Sequence, residues 1–150
     1  MAVAEDHSLS DANQIARFMG LSRWSRIEDL DLVGHVERGL PTRTLEIILK
    51  RVDPKGRWLK PADVIPKATY YRLKDQNLSR EQSERVLWLA KVLAETLRAY
   101  HNDTELALLF LVKRHAMLGG RSPYDLAKES VAGADLVLEL LDQAAAGVAV

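Results

Sequence analysis

Within residues 67–74 the chain places Lys67, Thr69, Tyr70, Tyr71, Arg72 and Lys74. Short polar and aromatic side chains near the start of a helix can reach base edges in the DNA major groove, while arginine and lysine pair with phosphates. Leu73, with one of the two tyrosines, is left to anchor such a helix to a core. Arg43, Lys50, Arg51, Lys55, Arg57 and Lys60 precede it and add positive charge suited to a phosphate backbone. An ordinary basic amphipathic helix, packed on its neighbours with its charges in water, has the same spacing. A DNA-reading helix also needs a partner helix before it. Residues 57–63 are expected to form a short one, with Val64-Ile65-Pro66 as the turn. Pro61 limits its length, because proline has no N–H and crowds the carbonyl four residues back.

Other chemistries leave no trace. The glycines match neither GxGxxG nor GxxxxGKS, so no phosphate cradle is expected, and no HExxH spacing is present. His7, His35, His101 and His115 are far apart in sequence, and each is more readily a surface or satisfied residue than a catalyst. Cysteine is absent, which removes disulfides, zinc ribbons and thiol nucleophiles together and fits a reducing cytoplasm. The expectation is a non-enzymatic protein with no cofactor, metal or small-molecule substrate. The start, MAVAEDHSLSDA, lacks the basic and apolar regions of a signal peptide. The longest apolar run, Leu106 to Val112, is far shorter than the ~20 residues of a membrane span.

These side chains must be held by a chain of 150 residues that is 47% hydrophobic and 28% charged, ordinary values for one globular domain. The formal net charge is zero, yet it is unevenly spread: residues 1–37 carry −4, residues 38–99 carry +7 and residues 100–150 carry −3. Such blocks suggest a basic middle between acidic ends, although chance on solvated faces also produces them.

The periodicity is helical almost throughout, and no alternating strand pattern survives. One helix spans Ser10 to Met19 before Gly20. Ser25-x-x-Glu28 opens another as a capping box, with Ile27, Leu30 and Val33 at helical spacing. Gly39 ends it. Pro41 suits a first helical position, and Leu45, Ile48, Leu49 and Val52 form the next stripe until Asp53-Pro54. After the reading helix Asn77 is a natural left-handed stop. Ser79-x-x-Gln82 caps the longest helix, about 80–100, with Val86, Leu89, Val92, Leu93 and Leu97 inward. Asn102 or Asp103 caps the following one. Gly119-Gly120 precede Ser122-Pro123-x-Asp125, a cap with its proline and acid, and a last helix runs from about Ala134 with Val137, Leu138 and Leu141 inward.

Met117-Leu118-Gly119-Gly120-Arg121-Ser122-Pro123-Tyr124-Asp125-Leu126 resembles the signature of the Xre/MbcA/ParS antitoxin family, the partners of RES-domain toxins. Gly133-Ala134, Val137, Leu140-Leu141 and Gly147-Val148 are similar to that family's closing helix and end. Gly39-Leu40-Pro41, Ile65-Pro66-x-x-Thr69-x-x-Arg72 and Leu78-Ser79-x-x-x-Ser83-Glu84-Arg85 resemble its upstream part. The likeness covers roughly residues 25–150. Pro66 stands where family members usually have serine, and Phe110-Leu111 where they commonly have Trp-Leu.

The resemblance implies an all-α protein: an N-terminal extension 1–24, an Xre-like helix-turn-helix half 25–101 and a helical toxin-binding half 102–150. It implies homodimerisation, operator DNA as a ligand, autorepression, and a RES-domain toxin that consumes NAD⁺ and is blocked by covering its pocket entrance. DNA contacts would then fall to Lys67, Thr69, Tyr70, Tyr71, Arg72, Lys74, Arg57 and Lys60. Toxin contacts would fall to Leu118, Gly119, Gly120, Arg121, Gly147, Val148, Ala149 and Val150. The two glycines also make sense as a tight turn alone, and the tail as a frayed end. Residues 1–24 either extend a dimer interface or flex. A stand-alone helix-turn-helix regulator with a C-terminal oligomerisation domain, or a helical adaptor with no nucleic-acid role, fits the same helices.

Overall fold

The structure is a computed structural model that describes residues 7–21 and 28–147. Among the described residues the chain is all-α. Its helices are α1 (His7–Phe18), α2 (Asp29–Arg38), α3 (Arg43–Val52), α4 (Lys67–Arg72), α5 (Arg80–Ala99), α6 (Thr104–Val112), α7 (Pro123–Glu129) and α8 (Val131–Ala145). One-turn 3-10 helices stand at Pro61–Asp63 and Ala116–Leu118. Among the described residues, extended pairing is limited to two isolated bridges, Pro41 with Asn77 and His115 with Arg121.

Local caps set most of these boundaries. Ser79 Oγ accepts from the Gln82 N–H at 3.1 Å while Gln82 Oε1 accepts from the Ser79 N–H at 2.9 Å, the expected capping box. Asp103, Ser122 and Ser130 each accept a first-turn N–H, from Leu106 (3.1 Å), Asp125 (3.1 Å) and Gly133 (2.9 Å). Gly20 closes α1 with φ +75°.

The core is organised on α5. Its Ser83, Val86, Leu89, Ala90, Val92, Leu93, Thr96 and Leu97 are buried. It packs against α1, α2 and α3 from the first half and α6, α7 and α8 from the second. The α7–α8 corner is closed by Gly133, where a Cβ would stand 2.1 Å from the Leu126 carbonyl oxygen.

Two of the three upstream motif stretches, Gly39-Leu40-Pro41 and Leu78 to Arg85, meet in space. Gly39 adopts φ +97°, and a Cβ there would lie 2.2 Å from the Leu78 carbonyl oxygen. The Leu78 N–H donates to the Leu40 carbonyl at 2.8 Å, and the Leu40 N–H donates to Ser83 Oγ at 2.8 Å. Thr42 donates its N–H (3.0 Å) and its hydroxyl (2.9 Å) to the Gln76 carbonyl. This clasp brings the start of α3 to the start of α5.

Several expectations change. Ser25 and Ile27 lie outside the described residues. The helix there begins at Asp29, with Asp31 Oδ2 accepting from the Glu28 N–H at 3.1 Å. Its inward residues are Leu32 and Val36; Leu30 and Val33 face solvent at 80% and 49% exposure. Both stripes have helical spacing, so periodicity alone did not choose between them. Pro41 sits before α3 instead of in its first turn, because Thr42 is drawn to Gln76 and Pro41 bridges Asn77. That bridge keeps Asn77 out of the left-handed region, which His101 and Asn102 occupy instead, at φ 54° and 64°. The helix expected over 57–63 is only the 3-10 turn Pro61–Asp63, since proline cannot donate back into residues 57–60. The last helix starts at Val131 under its Ser130 cap, ahead of the expected Ala134.

Ser83 is fully buried, so Ser83→Ala leaves the Leu40 N–H without its acceptor. Urea unfolding should show a loss of about 1–3 kcal/mol, with the m-value unchanged.

Candidate functional site

Helix α4 starts after Pro66, whose φ of −49° and ψ of 138° lead into the first turn without a side-chain cap. Lys67, Tyr71, Arg72 and Lys74 are exposed and Thr69 is half-buried. Tyr70 is only 9% exposed, and its hydroxyl donates to Glu46 Oε2 at 3.4 Å. It is therefore the anchoring tyrosine and leaves the set available to DNA. Tyr71 stands edge-on to it, ring centres 5.8 Å apart, and is itself 60% exposed. Burial, together with the Glu46 carboxylate, pushes the Tyr70 phenol above its ordinary range. The hydrogen bond from Lys50 holds the Glu46 carboxyl below its ordinary range.

Of the cations expected ahead of α4, Lys50 and Arg51 are occupied by the fold. Lys50 Nζ pairs with Glu46 at 3.0 Å. Arg51 donates to the carbonyls of Phe18 and Arg17, both at 3.1 Å, and its guanidinium lies 5.9 Å from the centre of the Phe18 ring. It caps the end of α1, so it and Lys50 contribute less to any phosphate contact than their charges suggest. Arg43, Lys55, Arg57 and Lys60 are exposed on the same part of the chain.

Lys55, Arg57 and Lys60 ride on a loop held from within by Asp53. This residue is 3% exposed, and its Oδ2 accepts the N–H groups of Trp58 (2.7 Å) and Leu59 (2.9 Å). Burial alone would raise its pKa. The N–H donors of Leu59, Trp58 and Arg57 outweigh that and hold the carboxyl below its ordinary value.

On the C-terminal half, Gly119 and Gly120 are exposed in the left-handed region, φ +66° and +79°, with nothing within 4 Å of where a Cβ would stand. The turn thus needs glycine for its backbone and also leaves that backbone open to a partner. The Gly120 N–H donates to the His115 carbonyl at 3.0 Å, and the His115 N–H to the Arg121 carbonyl at 3.1 Å. Leu118 is 6% exposed, so it fixes the turn from below and is not a surface contact. Arg121 is exposed and paired with Glu129. Gly147 is exposed with φ +88°. Val148, Ala149 and Val150 lie outside the described residues.

The structure adds an apolar face that site reasoning missed. Leu106 and Leu109 on α6 are 49% and 58% exposed, and Trp58 is 60% exposed. Trp58, Leu108, Leu109 and Val112 line a groove of about 360 Å³ between the 53–58 loop and α6. The signal was present in the uninterrupted apolar run 106–112: a nine-residue helix with no polar face, buried on one side only, exposes the rest of its leucines. Such a patch is the chemistry of a protein–protein contact.

Among the described residues no group of three His, Asp or Glu side chains stands close enough to hold a metal ion. No helix among them is long and apolar enough to cross a membrane. Residues 31–91 match the model of the antitoxin Xre-like helix-turn-helix domain. Residues 96–147 match that of the antitoxin Xre/MbcA/ParS C-terminal toxin-binding domain. No curated protein and no solved structure gives a significant match.

Asp53→Ala should lower stability at pH 7 by about 1–3 kcal/mol. Because the folded carboxyl titrates below its ordinary 3.8, its contribution is present above that value and fades as the pH falls through the lowered one. Wild-type and variant stability curves, measured by urea unfolding, should therefore converge in acid. Curves that stay parallel from pH 7 to pH 3 would contradict the assignment.

Proposed function

The chain belongs to the Xre/MbcA/ParS antitoxins, with its helix-turn-helix domain ahead of its toxin-binding domain, and on that premise we propose that it neutralises a RES-domain toxin and represses its own operon. The observation that carries this reading is the order of the two matched domains, each with an exposed face of fitting chemistry. Residues 25–101 are taken as the DNA half and 102–150 as the toxin half, in the cytoplasm. A homodimer would present two copies of α4 to two half-sites, as helix-turn-helix repressors commonly do.

At the DNA face, Thr69 and Tyr71 read base edges while Lys67, Arg72, Lys74, Arg57 and Lys60 engage phosphates. At the toxin face, the open Gly119-Gly120 turn accepts close backbone approach, and Arg121 trades Glu129 for a toxin carboxylate. The tail Gly147 to Val150 covers the entrance to the NAD⁺ pocket. A pocket that binds a dinucleotide phosphate carries cations, which acidic groups can pair with. Residues 100–150 carry net −3, which supports an acidic insert for such a pocket. The protein itself performs no reaction in this scheme; it excludes the substrate from the toxin.

Two measurements test the halves separately. Co-purified with the toxin encoded beside it, the full chain should suppress NAD⁺ consumption, and deletion of residues 147–150 should weaken suppression at least tenfold; unchanged inhibition sinks the covering role of the tail. For DNA, the five phosphate-engaging cations named give a log–log salt slope of about −4.5 per protomer bound. Arg57→Ala should make that slope shallower by about 1, and a duplex from the upstream promoter region that is not bound at low salt would contradict repression.

A further inference from the structure

We propose that Tyr124 and Arg85 are positioning residues for the DNA-reading helix, so that the toxin-binding half sets the geometry of α4; this rests on the DNA-binding role of α4 argued above. Helix α4 is six residues long, and isolated helices below about 12 residues do not hold themselves in water. Its entrance is equally thin. The preceding element is a three-residue 3-10 turn, and Pro66 brings no cap oxygen to the first turn. Something outside the segment has to fix its direction.

Two side chains do so from beyond the turn. The Tyr124 hydroxyl on α7 donates to Asp63 Oδ2 at 3.0 Å. The same oxygen accepts the Lys60 N–H at 2.9 Å, the bond by which the Asp63 side chain caps the start of the 3-10 turn. Arg85 on α5 donates from Nη2 to the Val64 carbonyl (3.2 Å), two residues before the N-cap of α4, and to the Lys128 carbonyl (2.9 Å) near the end of α7. Helix α7 is thereby tied to both ends of the Asp63–Val64 step that launches α4. Tyr124 is 5% exposed, and burial pushes its phenol far above the physiological range, so the hydroxyl stays a donor wherever the protein is folded. Neither residue belongs to the proposed DNA contacts or to the exposed toxin candidates. Tyr124 nonetheless follows Arg121 by three residues, and Arg121 itself reaches Glu129 at the far end of the same helix. A partner that grips the Gly119–Arg121 turn holds the helix that aims α4.

Positioning and plain stability are separable through the salt slope. A variant that only lowers the folded fraction weakens DNA binding by one factor at every salt concentration and keeps the slope. A variant that misaims α4 loses phosphate contacts and makes the slope shallower. We expect Tyr124→Phe, assayed by fluorescence anisotropy on the upstream promoter duplex, to bind at least fivefold more weakly at low salt with a slope shallower by about 2. Arg85→Lys, which keeps the charge but not the two-carbonyl geometry, should behave alike. Ser83→Ala, destabilised without contact to the turn, should keep the wild-type slope, and Tyr124→Phe should still suppress the toxin. If wild type binds steeply and Tyr124→Phe and Arg85→Lys share its slope, the positioning role is overturned while DNA binding stands. If wild type does not bind the duplex at all, both fall.

Discussion

A twenty-residue helix that carries Ser83, Val86, Leu89, Ala90, Val92, Leu93, Thr96 and Leu97 inward has to be covered along its whole length, and α5 draws both halves of the chain onto itself to achieve this. The polar groups on its buried face must also find partners, since an unpaired buried donor or acceptor costs about 1–3 kcal/mol. A partner outside the helix then places another element. Thr96 returns its hydroxyl to the Val92 carbonyl at 2.7 Å and needs nothing outside the helix. Ser83 takes the Leu40 N–H and so fixes the start of α3. Half-buried Arg85 reaches one carbonyl in each half through Nη2, while its buried Nε has no partner among the described residues. The family models divide the chain between residues 91 and 96, in the middle of this helix, but the packing has no seam there.

What the sequence made legible was local. The cap of α5 and the Ser122-Pro123 start of α7 were readable because a side chain and the N–H it accepts lie three residues apart. The Leu45, Ile48, Leu49 and Val52 stripe was readable because only one face of α3 is apolar. What escaped depended on distant partners. Arg51 reads as a phosphate contact until the end of α1 arrives beside it. Asn77 reads as a left-handed stop until Pro41 pairs with it. On α2 two apolar stripes of equal spacing compete, and only the neighbouring helices decide between them. The same holds for the proposed DNA face: residues 67–74 stand out as a group in the sequence, but the contact to Glu46 and burial sort Tyr70 and Tyr71 into anchor and surface.

The zero net charge has a structural meaning as well. The basic block, residues 38–99, contributes the exposed cations around α4, while the block with net −3, residues 100–150, contributes the turn and helices assigned to the toxin. Opposite polarity suits two partners of opposite charge, and local charge steers association more than the total does. The apolar groove between Trp58 and Leu109 lies where these halves adjoin, and it presents a surface that neither phosphate nor a charged pocket satisfies.

Sharing α5 makes the antitoxin one body that carries both proposed faces, for DNA and for the toxin, in contrast to two domains on a linker. Native-state hydrogen exchange tests this most directly. The slowest amides of α3, of both ends of α5 and of α8 should open with the same free energy, equal to that of global unfolding in urea. If α7 and α8 open at markedly lower free energy while α3 and the first turns of α5 stay protected, the halves are independent and the shared-helix account is wrong.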